Sequence, residues 1–452
     1  MSRHDQCGHP VQITSPEALD AWNATVRGFL AHSARMPDHL QAVLETEPGF
    51  ALARIAKGFF LLLLGRSELD AKARELAAEI EALAQQGALD PREALYMAAL
   101  RDWLGGCPSR AAARLDEVHA GWPGDALALK LSHAIRFMMG DRFAMRESLE
   151  DVLGTYRPDH PLAGYVMGCH AFALEETGAY TEAERAGRRA LELAPDDAWA
   201  LHAVTHVYEM TGQSSQGRRY VMDNRQAWCH CNNFGYHVWW HLALFHLDSG
   251  DYADVLALYD DRVRCDRTDD YRDIANATSL LARLELEGVD VGGRWEELAD
   301  IAERRVNDGC VVFADLHYML ALTGAGRDVA AARLERRLRE AAQAPAGEMD
   351  LVAARAGAPV AEGLRAFRQA DYDSACTFLA TARPRLQSIG GSHAQRDVFE
   401  RILIDTAILA GATVQARRLI EERGRMRGAV DNFAKLRLDR IAKFGGHSES
   451  AA

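Results

Sequence analysis

Four histidines and a glutamate stand at helical spacing in two short stretches, LHAVTHVYEMTG (201–212) and HVWWHLAL (237–244). His202, His206 and Glu209 lie at i, i+4 and i+7, one face of one helix. His237 and His241 repeat the i, i+4 step. Six of the seventeen histidines fall between residues 202 and 246. Imidazoles four apart on a helix can both reach one metal ion, and a carboxylate can complete a His/His/Glu set. The metal reading therefore takes His202, His206, Glu209, His237 and His241 as ligands to a divalent ion such as zinc. Without a metal, the same groups, with His202, His206 and Glu209 as the catalytic set, can act as a general acid–base pair in a shielded groove. A structural network of histidines bonded to backbone and carboxylates is the third reading. It must satisfy five polar groups on one surface, because each needs a partner when buried. The H-E-x-x-H zinc pattern is absent, since Ala203 follows His202.

Other groups carry less. His133 and His317 occupy comparable helix positions elsewhere, and each alone reads as packing. Ser392-His393-Ala394-Gln395-Arg396-Asp397 follows a Gly-Gly turn and reads first as a helix cap, with Ser392 or Asp397 bonding free backbone N–H groups. Its functional reading is that Arg396 binds a carboxylate or pairs with Glu209. Trp240 can form an aromatic wall, while Trp239 is the large core residue of its helix. Cys229-His230-Cys231 has soft-metal character but not the spacing of a zinc knuckle. No Gly-rich phosphate loop, G-x-S-x-G elbow or S-x-x-K set occurs.

The elements that position these residues follow from a repeat. Glycines that close one helix before a short turn recur at Gly106, Gly140, Gly178, Gly212 and Gly250. In the clearest unit Gly178 stops a helix, Tyr180 fills the turn, small Ala183 and Ala190 allow close approach, and Pro195 ends the second helix. Ala370-Asp371-Tyr372 and Gly411 continue the pattern late in the chain. Alternating Val/Ile/Thr runs are missing, so strands are not expected. Segment 286–310 is the least repeat-like and is expected to bend or close the array.

Composition narrows the function. The net charge of −13 and the lack of a basic stripe argue against a nucleic-acid partner. Only five of the 52 basic residues are lysines. The first twenty residues contain no apolar core of a secretory signal, and the longest apolar run, Phe59–Leu64, is too short to span a bilayer. Eight scattered cysteines without a C-x-x-C pair suit a reduced, cytoplasmic protein.

A near-34-residue helix–turn–helix period is the tetratricopeptide signature. The segments 201–212, 237–244, LLARLELEGVDVGGRW (280–295) and GGSHAQRDVF (390–399), in this order, resemble the tetratricopeptide repeat protein 38 family over roughly residues 15–440. The resemblance implies an all-α tetratricopeptide-type α-solenoid, a right-handed superhelix of helix–turn–helix repeats that can close into a compact ring. The expected layout is an unordered N-terminus over 1–14, one repeat domain over 15–444 and an unordered tail over 445–452. In such arrays first-helix positions line the concave groove. With Gly212 and Gly250 taken as position 15 of their repeats, Trp199, His202, His206 and Glu209 take groove positions on one first helix. His237, Trp240 and His241 take them on the next. If the superhelix closes, His133 and His317 join them.

The expected function is binding of a small ligand or protein partner in a pocket lined by His202, His206, Glu209, His237, His241, Trp199 and Trp240, with Arg396, His133 and His317 contributing. The alternatives are a metal-dependent or His acid–base hydrolase or lyase, and a peptide-binding scaffold.

Overall fold

The structure, a computed structural model, describes residues 3–84 and 89–449. It is all-α apart from one small hairpin, and it divides into two compact units. One comprises Met1–Val204, Asn224–Gly235 and Ala346–Met349; the other comprises Thr205–Asp223, Tyr236–Pro345 and Asp350–Ala452. The single domain expected over 15–444 is thus two bodies, with the boundary falling inside a helix, between Val204 and Thr205. Among the described residues no helix is long and apolar enough to cross a membrane.

The first unit opens with strands β1 (Arg3–His4) and β2 (Pro10–Val11), paired antiparallel with Arg3 opposite Val11. Residues 3–14 are therefore ordered, contrary to expectation. Two-residue strands leave no alternation to read, and the hairpin is fixed by a buried charge instead. Asp5 accepts from the backbone N–H of Cys7 and His9, and its other oxygen lies 3.2 Å from Arg92. Arg92 also pairs with Asp125 at 2.7 Å, and Tyr96 donates to the same carboxylate. Burial pushes the Asp125 carboxyl up, but Arg92 outweighs it and holds the group below the usual range.

Helix pairs follow: α1 (Pro16–Leu30) with α2 (Met36–Thr46), α3 (Ala51–Leu62) with α4 (Ser67–Ala84), α5 (Pro91–Leu104) with α6 (Pro108–Gly121), α7 (Ala126–Met139) with α8 (Arg142–Val152), and α9 (Ala163–Glu176) with α10 (Tyr180–Leu193). Their turns hold His32, Gly65, Gly106, Gly140 and Gly178, all at positive φ. Helix α10 shows how the core is built. Ala183, Gly187 and Ala190 form its buried stripe at i, i+4 and i+7, and a Cβ on Gly187 would come within 2.5 Å of Val204. Helix α11 (Ala198–Met210) starts in this unit.

In the second unit α11 ends and leads into α12 (Ser214–Asp223). Then come α13 (Phe234–Ser249) with α14 (Tyr252–Leu258), α15 (Tyr271–Leu286) with α16 (Arg294–Arg305), and α17 (Val312–Gly324) with α18 (Asp328–Gln343). After the short α19 (Glu348–Val352) come α20 (Ala358–Arg368) with α21 (Tyr372–Ala382), α22 (His393–Leu409) with α23 (Thr413–Arg427), and α24 (Asn432–Glu449). The turns hold Gly212, Gly250, Gly288, Gly326, Ala370 and Gly411, again at positive φ. These are helix–turn–helix repeats of tetratricopeptide type. Segment 286–310, expected to break the pattern, keeps it: Gly288 is an ordinary pair turn and α16 an ordinary second helix. Residues 445–449 continue α24, where an unordered tail was expected, and 450–452 lie outside the described residues.

Candidate functional site

The second unit gathers His206, Glu209, His237 and His241. His206 and Glu209 come from the end of α11, and His237 and His241 from successive turns of α13. His206 and His241 are fully buried and His237 nearly so. One ring nitrogen from each of the three histidines lies within 4.8 Å of the others. The His206 and His241 rings are 4.6 Å apart, centre to centre. His241 places Nδ1 3.0 Å from Glu209 Oε2, and His237 places Nδ1 2.8 Å from Asn276 Oδ1. Both acceptors are oxygens, so each Nδ1 carries the hydrogen and donates. The two Nε2 atoms, 3.2 Å apart, then face each other with their lone pairs.

Burial is the first cause that keeps these rings uncharged. It takes His237 and His241 down to about 3, with His241 acting further on His237 and Arg283 on His241. His206 is pushed well below its ordinary value by burial and by His241. At neutral pH the site presents neutral imidazoles.

Helix α15 supplies the floor. Asn276 receives His237; Ser279 accepts from Trp240 Nε1 at 3.2 Å; Arg283 lies 5.5 Å from the Trp240 ring. Arg283 is fully buried and donates to the carbonyls of Ser279 and Ala394. Burial, then repulsion from Arg401, lowers its guanidinium to about 9. A cavity of about 10 Å³, one water in size, is lined by Glu209, Arg283, Arg401, Arg427 and Asp431, among others. Sequence reasoning missed Asn276, Ser279 and Arg283. Their i, i+3, i+7 spacing puts three polar side chains on one face of α15, a readable signal.

The remaining expected residues divide. His202 and Trp199 belong to the first unit. There His202 stacks on Phe172 at 5.3 Å and lies 4.9 Å from the Trp199 ring, one helical turn before His206. His133 is also in that unit and accepts from Trp199 Nε1 at 3.2 Å. His317, in the second unit, donates Nδ1–H to its own helix at Phe313 O, 2.7 Å away, and packs between Phe313 and Phe399. Of Trp239 and Trp240, Trp240 is the fully buried one and stacks on His237 at 5.1 Å. Trp239, expected in the core, is half-buried beneath Arg262. The pair is thus rotated by one residue from its expected register.

Ser392 is the cap it was read to be, closing a capping box with Gln395. Asp397 instead joins Arg401 and Arg423. Arg396 holds the preceding turn through the carbonyls of Gly390 and Gly391 and the Gln387 side chain. The arginine that approaches Glu209 is Arg427, at 3.9 Å. Cys231 and His230 both bond Ala31 O, where their strand-like segment meets Ser33.

No protein-family model matches the chain. Among solved structures it is similar to a human IFIT1 dimer with PPP-AAAA, at 11% identity over 96% of each chain and a TM-score of 0.41. It is also similar to yeast Tom70, at 13% identity over 96% of this chain and 89% of that one, with a TM-score of 0.36. Likenesses this distant say nothing of ligand or partner, and the helical-repeat fold rests on the chain's own helices.

Proposed function

We propose that this is a ligand-binding helical-repeat protein whose buried site, built on His206, His237 and His241, takes a divalent transition-metal ion, zinc first. One observation carries the reading: two Nε2 lone pairs facing each other at 3.2 Å, each fixed by an acceptor behind its ring. Two ligands about 2.0–2.1 Å from a tetrahedral zinc stand about 3.3 Å apart, so an ion between them fits. The acceptors behind the rings, Glu209 and Asn276, are the outer partners that metal-bound histidines usually have. Glu209 accordingly serves as an orienting group rather than the ligand expected from sequence.

The acid–base reading fits less well. A general base works best near the operating pH, and His237 and His241 are held near 3. A three-histidine ion with an open position activates a bound water or polarises a carbonyl, which would make a small ligand a substrate.

Elemental analysis of the purified full chain tests this. About one equivalent of zinc or a similar metal is expected, lost in His237→Ala. Asn276→Ala should retain the site but weaken metal affinity by about 10–100-fold. A wild-type chain that carries no metal and takes up none on titration with zinc would overturn the proposal.

A further inference from the structure

The first unit holds a second chemical oddity, Lys130. The chain uses arginine almost everywhere, and every other fully buried Lys or Arg side chain among the described residues is arginine. Lys130 is 3% exposed and makes no ion pair among the described residues. Its Nζ lies 3.5 Å from His32 Nε2, 3.7 Å from Cys169 Sγ and 4.4 Å from the centre of the Trp199 ring. A buried lysine is ordinarily paired with a carboxylate. A guanidinium would fill this place as a permanent cation; an ammonium differs in that it can lose a proton and become a nucleophile.

The surroundings suit that difference. His32 sits at φ 55, the left-handed backbone that the other pair turns share. Its ring is stacked between Phe234 at 4.4 Å and Trp199 at 5.3 Å, both at 22°. His32 and Phe234 are half-buried, so the stack reaches from solvent to Lys130. Behind Lys130, the fully buried Asp197 leaves Oδ2 without a hydrogen bond and faces Gly168, where a Cβ would lie 2.0 Å from that oxygen. Burial raises the Asp197 carboxyl to about 7, and Lys130 is the first influence drawing it back.

We propose that Lys130 is a nucleophilic amine that forms a Schiff base with a small carbonyl compound, with His32, which fills the space between Trp199 and Phe234, relaying the proton. The amine nitrogen adds to the carbonyl carbon and one N–H proton passes to the carbonyl oxygen, giving a carbinolamine. The second N–H proton leaves with that hydroxyl as water, and a C=N bond remains. No oxidant or reductant is needed. The proposal stands on the first unit alone and is independent of the metal site.

The test is reductive trapping of the full chain with 4-nitrobenzaldehyde and sodium cyanoborohydride, read by peptide mass mapping. Lys130 should be modified at least about tenfold faster than Lys57, Lys72, Lys435 or Lys443. Lys130→Arg should lose that adduct while keeping its helical circular dichroism and thermal midpoint, and His32→Gln should slow the trapping. If Lys130→Arg does not fold, the wild-type map decides alone. Modification of Lys130 no faster than the four other lysines, or only after unfolding in guanidinium, overturns the proposal.

Discussion

His317 shows at the scale of one residue what burial costs an ionisable ring. Burial lowers it from 6.5 to about 3, as it does His237 and His241. Between those values the unfolded chain binds more protons than the folded one. Each ring therefore contributes stability that is complete above pH 6.5 and is lost as pH falls toward 3. Asp197 works the other way, because its raised carboxyl binds a proton in the fold first. The informative quantity is thus a difference: His317→Leu should lose less stability than wild type between pH 7 and 5, by urea midpoints. Equal slopes would sink this account. A second residue-scale prediction concerns Arg423, buried against Asp397 at 2.6 Å and Asp431 at 2.7 Å. Burial opposes ionisation of both acids, but the arginines outweigh it and hold both well below the usual range. Arg423→Ala strands two buried carboxylates and should cost about 3–5 kcal/mol in urea unfolding. A loss of under about 1 kcal/mol would mean that Arg401 and Arg427 carry the pairs without it.

At the scale of elements, the pair turns follow one backbone rule, and of its two non-glycine exceptions, His32 and Ala370, the second is informative. Gly178 sits at φ 86 with nothing within 4 Å of a would-be Cβ, so Gly178→Ala tests conformation alone. Ala370 holds the same role at φ 58 and is exposed. Ala370→Gly should raise the thermal midpoint, by about 1 kcal/mol of stability, and Gly178→Ala should lower it comparably. A destabilised Ala370→Gly would show that the Ala370 methyl matters more than its φ. This regularity is why the repeats were legible: a turn needing positive φ selects glycine, and glycine recurs. The histidine pairs were legible for the same reason, since i, i+4 spacing survives any packing. What could not be read was the partnering between distant elements. Nothing local says that Asn276 on α15 stands behind His237 on α13, that Asp5 meets Arg92, or that Lys130 lies beside His32. The Trp239/Trp240 register failed because position in a repeat fixes a helix face only to within a residue or so.

At the scale of the molecule, the chain enters and leaves the first unit more than once. Residues 224–235 lie along 31–34, with Ala34 N bonded to His230 O at 3.1 Å and Asn232 N to His32 O at 2.9 Å. Glu348 bonds Gly106 O through its backbone N–H, and its carboxylate accepts from Ser109 N at 3.0 Å. A fragment of residues 1–204 therefore lacks Phe234, which stacks on His32 and packs 5.6 Å from Trp199. That fragment should be less stable than the first unit in the full chain, judged by hydrogen exchange of α7 and α9. Equal protection would show that the two returning segments add nothing.

The same threading sets an order of events at the ribosome. The first unit's main span is complete at Val204, but its last segment, Ala346–Met349, emerges some 145 residues later, the difference between 349 and 204. At about 5–20 residues per second that interval lasts about seven to thirty seconds. The aromatic stack around Trp199 waits only until Phe234 emerges, whereas the α5–α6 turn at Gly106 waits unfinished through the whole interval. Yield on expression should then depend on translation speed over residues 205–349 and on chaperones that shelter a half-built body, more than on the stability of the finished one.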